Sequence, residues 1–239
     1  MTELVLIPAA FLTSMTAAIG GIAGGVMLIA IMASLLPPAA VIPIHGLVQI
    51  TSNISRALLG VRHIEWRIVR DYGIGAILGA LLGSRLVPLF AWDNLPLILG
   101  LCILLFTWMP KLRGNRRIPF RFGVLGLVQT ALSLFVGVAG PLNMPFLLRE
   151  ELGRDRTVIT HSVQMTIMHM LKVVTFGLLG FAFAPYVQLV IGMTIGAVLG
   201  SWAGTRVRTH VPEHIFRHGI RILITVLALR MLLQGLGLL

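Results

Sequence analysis

His45, Gln49, Ser52 and Arg56 follow one another at spacings of four, three and four residues, which is one face of a helix. In the second half of the chain His161, Met165, His169 and Lys172 form a matching stripe. Thr51 and Asn53 lie beside the first run, and Thr160, Ser162, Gln164 and Thr166 beside the second. Together these side chains suit an anion. Lys and Arg attract its charge, Ser, Thr and Asn fix its oxygens, and His titrates near neutral pH. The acids stand elsewhere: Glu3, Glu65, Asp71, Asp93, Glu150, Glu151, Asp155 and Glu213 all fall near the ends of apolar segments. A cation path would call for carboxylates, carbonyl rings or thiolates.

Both runs sit inside apolar stretches, where ionisable groups are costly and face a cavity or a partner. Lys172 carries the most weight, midway through its segment with no carboxylate within one helical turn. The plainer alternatives are snorkelling to the interface for Arg56 and Lys172, hydrogen-bonded packing for His169, and structural helix-end roles for His45 and His161. The candidate anion contacts are therefore Lys172, His169, Arg56, Asn53, Ser52 and Gln49, with His45 and His161 as candidate proton carriers.

The elements that must position these residues are membrane helices. Hydrophobic residues make up 57% of the 239, and charged residues 11%, against about 25% in a soluble domain. Mean hydropathy is +0.95. The length suits six to eight spans of about 20 residues and leaves no room for a separate soluble domain. A formal charge of +11 raises nucleic acid as a partner, but the Arg residues stand at the ends of apolar runs, as retention on one membrane face requires. The single cysteine, Cys102, excludes a disulfide framework and a thiolate metal site. Glu3 stands where a signal peptide carries Lys or Arg, and no small-residue cleavage site follows, so the first segment is expected to stay with the chain.

Four apolar segments fall in each half: 4–36, 40–60, 68–90 and 95–110, then 122–148, 157–183, 186–206 and 216–238. The halves repeat. Gly75-Ala-Ile-Leu-Gly79-Ala-Leu-Leu-Gly83-Ser84 returns as Gly192-Met-Thr-Ile-Gly196-Ala-Val-Leu-Gly200-Ser201, and Gly21-Ile-Ala-Gly24-Gly25 returns as Gly137-Val-Ala-Gly140-Pro141. The ladders read as close-packing surfaces between helices. The first segment of each half is interrupted by glycine (Gly24 and Gly25, then Gly140). It is either a broken span or a re-entrant hairpin, since non-helical backbone at membrane depth survives only against protein or a watery cavity. Half-helices at these breaks could aim N–H groups at an anion.

Loop charge separates the two models. If all eight segments cross, Arg62, Arg67, Arg70, Lys111, Arg113, Arg116, Arg117 and Arg121 face one side. Arg85, Arg149, Arg154, Arg156, Arg206, Arg208, Arg217 and Arg221 then face the other. If each first segment dips in and returns, all of them except Arg85 share one face, as cytoplasmic loops should. The re-entrant model is preferred. It predicts an all-α polytopic protein of two inverted repeats, residues 1–110 and 122–239, joined by a basic cytoplasmic linker at 111–121. Both termini are then periplasmic.

At these residues the chain resembles the sulfite exporter TauE/SafE family, also called the 4-toluene sulfonate uptake permease family. The first segment, from Ala10-Phe11-Leu12 through Gly20-Gly21-Ile-Ala-Gly24-Gly25-Val26 to Leu36-Pro37, is similar to that family's glycine-rich opening. The second half restarts it from Gly126 through Phe135-Val-Gly137-Val-Ala-Gly140-Pro141 to Pro145, and Gly60-Val-Arg62-His63-Ile64-Glu65-Trp66-Arg67 looks like the family's loop after the second segment. Where the family often has Gly-Thr-Ser entering the second segment, this chain has Pro43-Ile44-His45 and Thr160-His161-Ser162. The resemblance implies transport of sulfur-containing anions such as sulfite, thiosulfate, sulfonates or sulfoacetate, coupled to an ion gradient.

The reading is a secondary carrier of a small oxyanion in the bacterial inner membrane, working by alternating access around a midplane site. The expected partners are the anion and the lipid bilayer, with a homodimer open through the glycine ladders; no cofactor, metal or nucleic acid is expected. A passive anion channel is the first rival. A metal transporter using the eleven Met and seven His is the second, weakened because His210, His214 and His218 lie in a basic terminal region and the Met residues replace Leu in apolar runs. An intramembrane enzyme is disfavoured, because no nucleophile–base pair has an orienting acid.

Overall fold

The structure, a computed structural model, describes residues 2–20, 24–90, 92–108, 120–207 and 213–238. The described residues are helical, with no strand among them. In the first half stand α1 (Thr2–Gly20), α2 (Gly24–Ala33), α3 (Pro38–Leu58), α4 (Trp66–Leu86) and α5 (Leu95–Trp108). The second half has α6 (Arg121–Val136), α7 (Met144–Leu148), α8 (Arg154–Leu178), α9 (Val187–Val207) and α10 (Glu213–Gly235). Most of the basic linker at 111–121 lies outside the described residues.

Local chemistry sets several boundaries. Pro38 opens α3 and Pro145 stands in the first turn of α7, where a missing N–H costs nothing. Gly137 ends α6 in the left-handed conformation at φ 67°, donating its N–H to Ser133 O at 2.9 Å. A single 3-10 turn, Gly140–Leu142, separates it from α7. Each first segment is thus two helices with an interruption at the glycines.

Both interrupted segments fold back on themselves. A Cβ on Gly24 would overlap the Thr13 carbonyl, so the start of α2 is pressed against α1. In the second half an Arg121–Glu150 ion pair ties the start of α6 to the chain just after α7, and Gln129 Nε2 on α6 donates to Ala139 O.

Windows at Thr2–Ile19, Trp66–Leu89 and Ala184–Val207 are long and apolar enough to cross a membrane. Helices α3 and α8 are equally long, at 21 and 25 residues, but their polar stripes keep them out of that group. The apolar helices present Ile77, Leu81 and Leu82 on α4 and Leu199 and Trp202 on α9 to the surroundings, each at least 51% exposed. Water would penalise that surface, and lipid does not.

The glycine ladders decide which helices meet. Gly75, Gly79 and Gly83 of α4 pack against Gly123, Leu127 and Ala131 of α6, with the two helices running parallel. Gly196, Gly200 and Gly204 of α9 pack against Ile7, Phe11 and Met15 of α1, again parallel. A Cβ at Gly79 or Gly200 would overlap a backbone carbonyl, which a neighbour cannot move aside. Helices α3 and α8 run antiparallel, since Gly46 faces Val173 and Gly60 faces Ile159. So do α5 and α10, where Gly100 faces Ala228 and Leu232, and Gly235 faces Leu97.

Candidate functional site

The polar stripes of α3 and α8 face each other across a small cavity of about 40 Å³, room for about three waters. From α3 it is lined by His45, Gln49, Asn53 and Arg56, and from α8 by His161, Met165, Met168 and His169. Ala17, Gly25 and Val26 close it from the α1–α2 break, and Val138, Ala139 and Gly140 from the α6–α7 break. The cavity therefore lies where both halves meet, between both interruptions. Of the sequence-derived candidates, Gln49, Asn53, Arg56, His45, His161, His169, Gly25 and Gly140 line it.

Arg56 is 7% exposed and turned inward, not toward the interface. Its Nη2 donates to Asn53 Oδ1 at 2.6 Å, and Asn53 Nδ2 in turn donates to Gln49 O at 2.7 Å. Its Nη1 is buried and has no partner. The described ion pairs, Arg70–Asp71, Arg121–Glu150 and Arg156–Glu65, lie at helix ends and do not include it. A guanidinium buried without an anion is costly by several kcal/mol.

Lys172 does not line the cavity. It is fully buried behind it, donating from Nζ to Gly137 O at 2.7 Å and to His169 Nδ1 at 3.1 Å. His169 stands edge-on to His45, with ring centroids 5.5 Å apart. His45 Nε2 lies 3.0 Å from Gly25 O and donates to it, Gln49 Nε2 lies 3.3 Å from the same nitrogen, and His45 Nδ1 has no partner. His161 is fixed on the far wall, its Nδ1 3.5 Å from Asn143 Nδ2, which also donates to Gln164 Oε1 at 2.6 Å.

Ser52 also lies outside the cavity. Its hydroxyl donates to Ser14 Oγ at 3.1 Å and lies 3.4 Å from Ser201 Oγ, joining α1, α3 and α9. Gly24 serves packing, whereas Gly25 offers its carbonyl to His45. At Gly140 a Cβ would meet only ordinary contacts, with Met165 Sδ at 3.4 Å. Asn143, which braces His161, escaped the sequence reading. A lone amide in the interrupted segment was its only signal. Gln129 was equally visible as a polar residue within an apolar run. His210 lies outside the described residues, as do the side chains of His214 and His218. Among the described residues no group of three or more His, Cys, Asp or Glu could hold a metal ion.

An all-helical bundle with lipid-suited outer faces, a polar centre and interrupted helices meeting there is a polytopic membrane protein. The model of the sulfite exporter TauE/SafE family matches residues 6–231, and the chain belongs to that family. It is accordingly a multi-pass membrane transporter of the sulfur-oxyanion class and not an enzyme. Neither the curated proteins nor the solved structures yield a match to it.

Proposed function

We propose that the protein is a secondary carrier moving a small sulfur oxyanion, of the sulfite, thiosulfate, sulfonate or sulfoacetate type, across the bacterial inner membrane in exchange with or alongside an ion. The observation that carries this reading is the Arg56 guanidinium. It is buried, takes part in none of the described ion pairs, lines a cavity that both halves build, and leaves Nη1 without a hydrogen-bond partner. An oxyanion there accepts from Nη1, the Asn53–Arg56 bond keeps the guanidinium aimed, and Gln49 and His161 supply further polar contacts. The first turn of α2, with Gly25 and Val26 at the cavity, adds the positive end of a helix dipole.

Alternating access follows from an inverted duplication. Helices that correspond between the halves, α3 with α8 and α5 with α10, pack antiparallel, which supports a pseudo-twofold axis lying across the helices and in the membrane plane. Exchange of the halves also turns the α1–α9 pairing into the α6–α4 pairing. The same helix directions gather Arg62, Arg67, Arg70, Arg121, Arg149, Arg156 and Arg206 at one end, read as cytoplasmic. Rocking of one half against the other would open the cavity to each side in turn.

The test is sulfite uptake into proteoliposomes by the parent protein and by Arg56→Gln. The charge-for-amide change is expected to lower uptake at least tenfold while the protein stays monodisperse. Undiminished uptake by Arg56→Gln would remove the anion site, and linear flux without trans-stimulation would make the protein a channel.

A further inference from the structure

Three titratable side chains form a row that ends on the chain interruption of each half. Lys172 Nζ holds Gly137 O, at the end of α6, and reaches His169 Nδ1. His169 stands against the His45 ring, and His45 Nε2 holds Gly25 O, at the start of α2. The row passes along the cavity wall, since His169 and His45 line the cavity and Lys172 does not. The ionisable groups at the cavity and beside His169 are Lys172, His45, Arg56 and His161. All are basic. From α4, the Tyr72 phenol is buried in the cluster that holds Met165 and Met168 of α8 and does not line the cavity.

We infer that Lys172, His169 and His45 form the proton-coupling element of the carrier, with Lys172 a positioning and proton-holding residue and not an anion contact. The inference rests on the anion site proposed above. A charge buried with no counter-ion is strongly disfavoured. With the cavity empty, Arg56 is already one such charge, and a second on the Lys172–His169 pair compounds the cost. An arriving anion supplies the missing negative charge. One proton then comes in from water with it and resides on the pair, either on Lys172 Nζ or on His169 Nδ1. When the anion leaves to the opposite side, the pair returns that proton to water there. Arg56 neutralises one negative charge of the anion, so each cycle carries one proton for each further negative charge, one for sulfite as the dianion, and no bond other than N–H changes.

The experiment compares two fluxes in proteoliposomes of the full chain. Sulfite-for-sulfite exchange at equal pH needs the anion site alone, whereas sulfite accumulation under an imposed pH gradient needs coupling. His169→Gln keeps a polar side chain but cannot carry the proton. Lys172→Arg keeps the charge and cannot release it. Lys172→Arg, whose side chain lies behind the cavity, is expected to exchange within about twofold of the parent and to accumulate at least tenfold less under the gradient, and His169→Gln to lower the ratio of accumulation to exchange at least tenfold. If both accumulate like the parent, or if both lose exchange and accumulation equally, the coupling row is overturned. Where His169→Gln does not fold, Lys172→Arg decides alone. A parent protein that exchanges no sulfur anion overturns the proposed function and this inference together, which distinguishes that failure from failure of the row.

Discussion

Asn53 shows how one short side chain can govern a site it barely fills. It is pinned to Gln49 O one turn back and accepts from Arg56 Nη2 one turn ahead, so the guanidinium has one of its two terminal nitrogens committed and one free. Asn53→Ala removes a hydrogen bond to a charged group, worth about 1.5–3 kcal/mol. The expected outcome is a rise of at least fivefold in the KM for sulfite with a smaller change in maximal rate, because Arg56 keeps its charge but loses its aim. A KM equal to the parent's would show that the Arg56 orientation is set elsewhere. The residue types in this cluster were legible in the sequence, because ionisable groups without acids stand out in apolar segments. Their division of labour was not. Arg56 and Lys172 occupy corresponding places in the two halves, yet one faces the cavity and the other is tied to a backbone carbonyl behind it.

At the scale of elements, the two first segments illustrate what glycine patterns do and do not convey. Glycines clustered within an apolar run announced an interruption, and α1 with α2 and α6 with α7 have it. Their density did not reveal which glycine does which task. Gly24 packs α2 on α1, Gly25 gives His45 its carbonyl partner, and Gly137, at φ 67°, ends α6. Gly140 has room for a side chain. The ladders behave oppositely, since their regular spacing fixes their use as close-approach surfaces but not their partners. In each half the ladder helix meets the first helix of the other half. Gly79→Ala is expected to lose about 1–3 kcal/mol, because the new methyl overlaps the Leu127 backbone carbonyl. Gly140→Ala serves as the control with little change. Thermal unfolding in detergent checks the pair, and equal midpoints would contradict this account of the α4–α6 contact.

For the whole molecule the outstanding prediction concerns orientation. His63→Cys and Arg85→Cys, each made in a Cys102→Ala background, are expected to react with a membrane-impermeant maleimide from opposite sides. His63→Cys should label from the cytoplasm and Arg85→Cys from the periplasm. Labelling of both from one side would dispose of the inverted arrangement. The sequence by itself determined the membrane class, the helical segments to within a few residues, the repeat, and the absence of acids beside the central cations. These follow from hydropathy, period and composition, which are local and need no knowledge of neighbours. Only the tertiary structure decided that α3 packs on α8, that both interruptions close one cavity, and which buried cation faces it. Helical periodicity says that His45, Gln49 and Arg56 share a face; it does not say what that face looks at. That depends on which ladder meets which helix, contacts made between Gly75 and Gly123 in one case and between Gly200 and Phe11, at opposite ends of the chain, in the other.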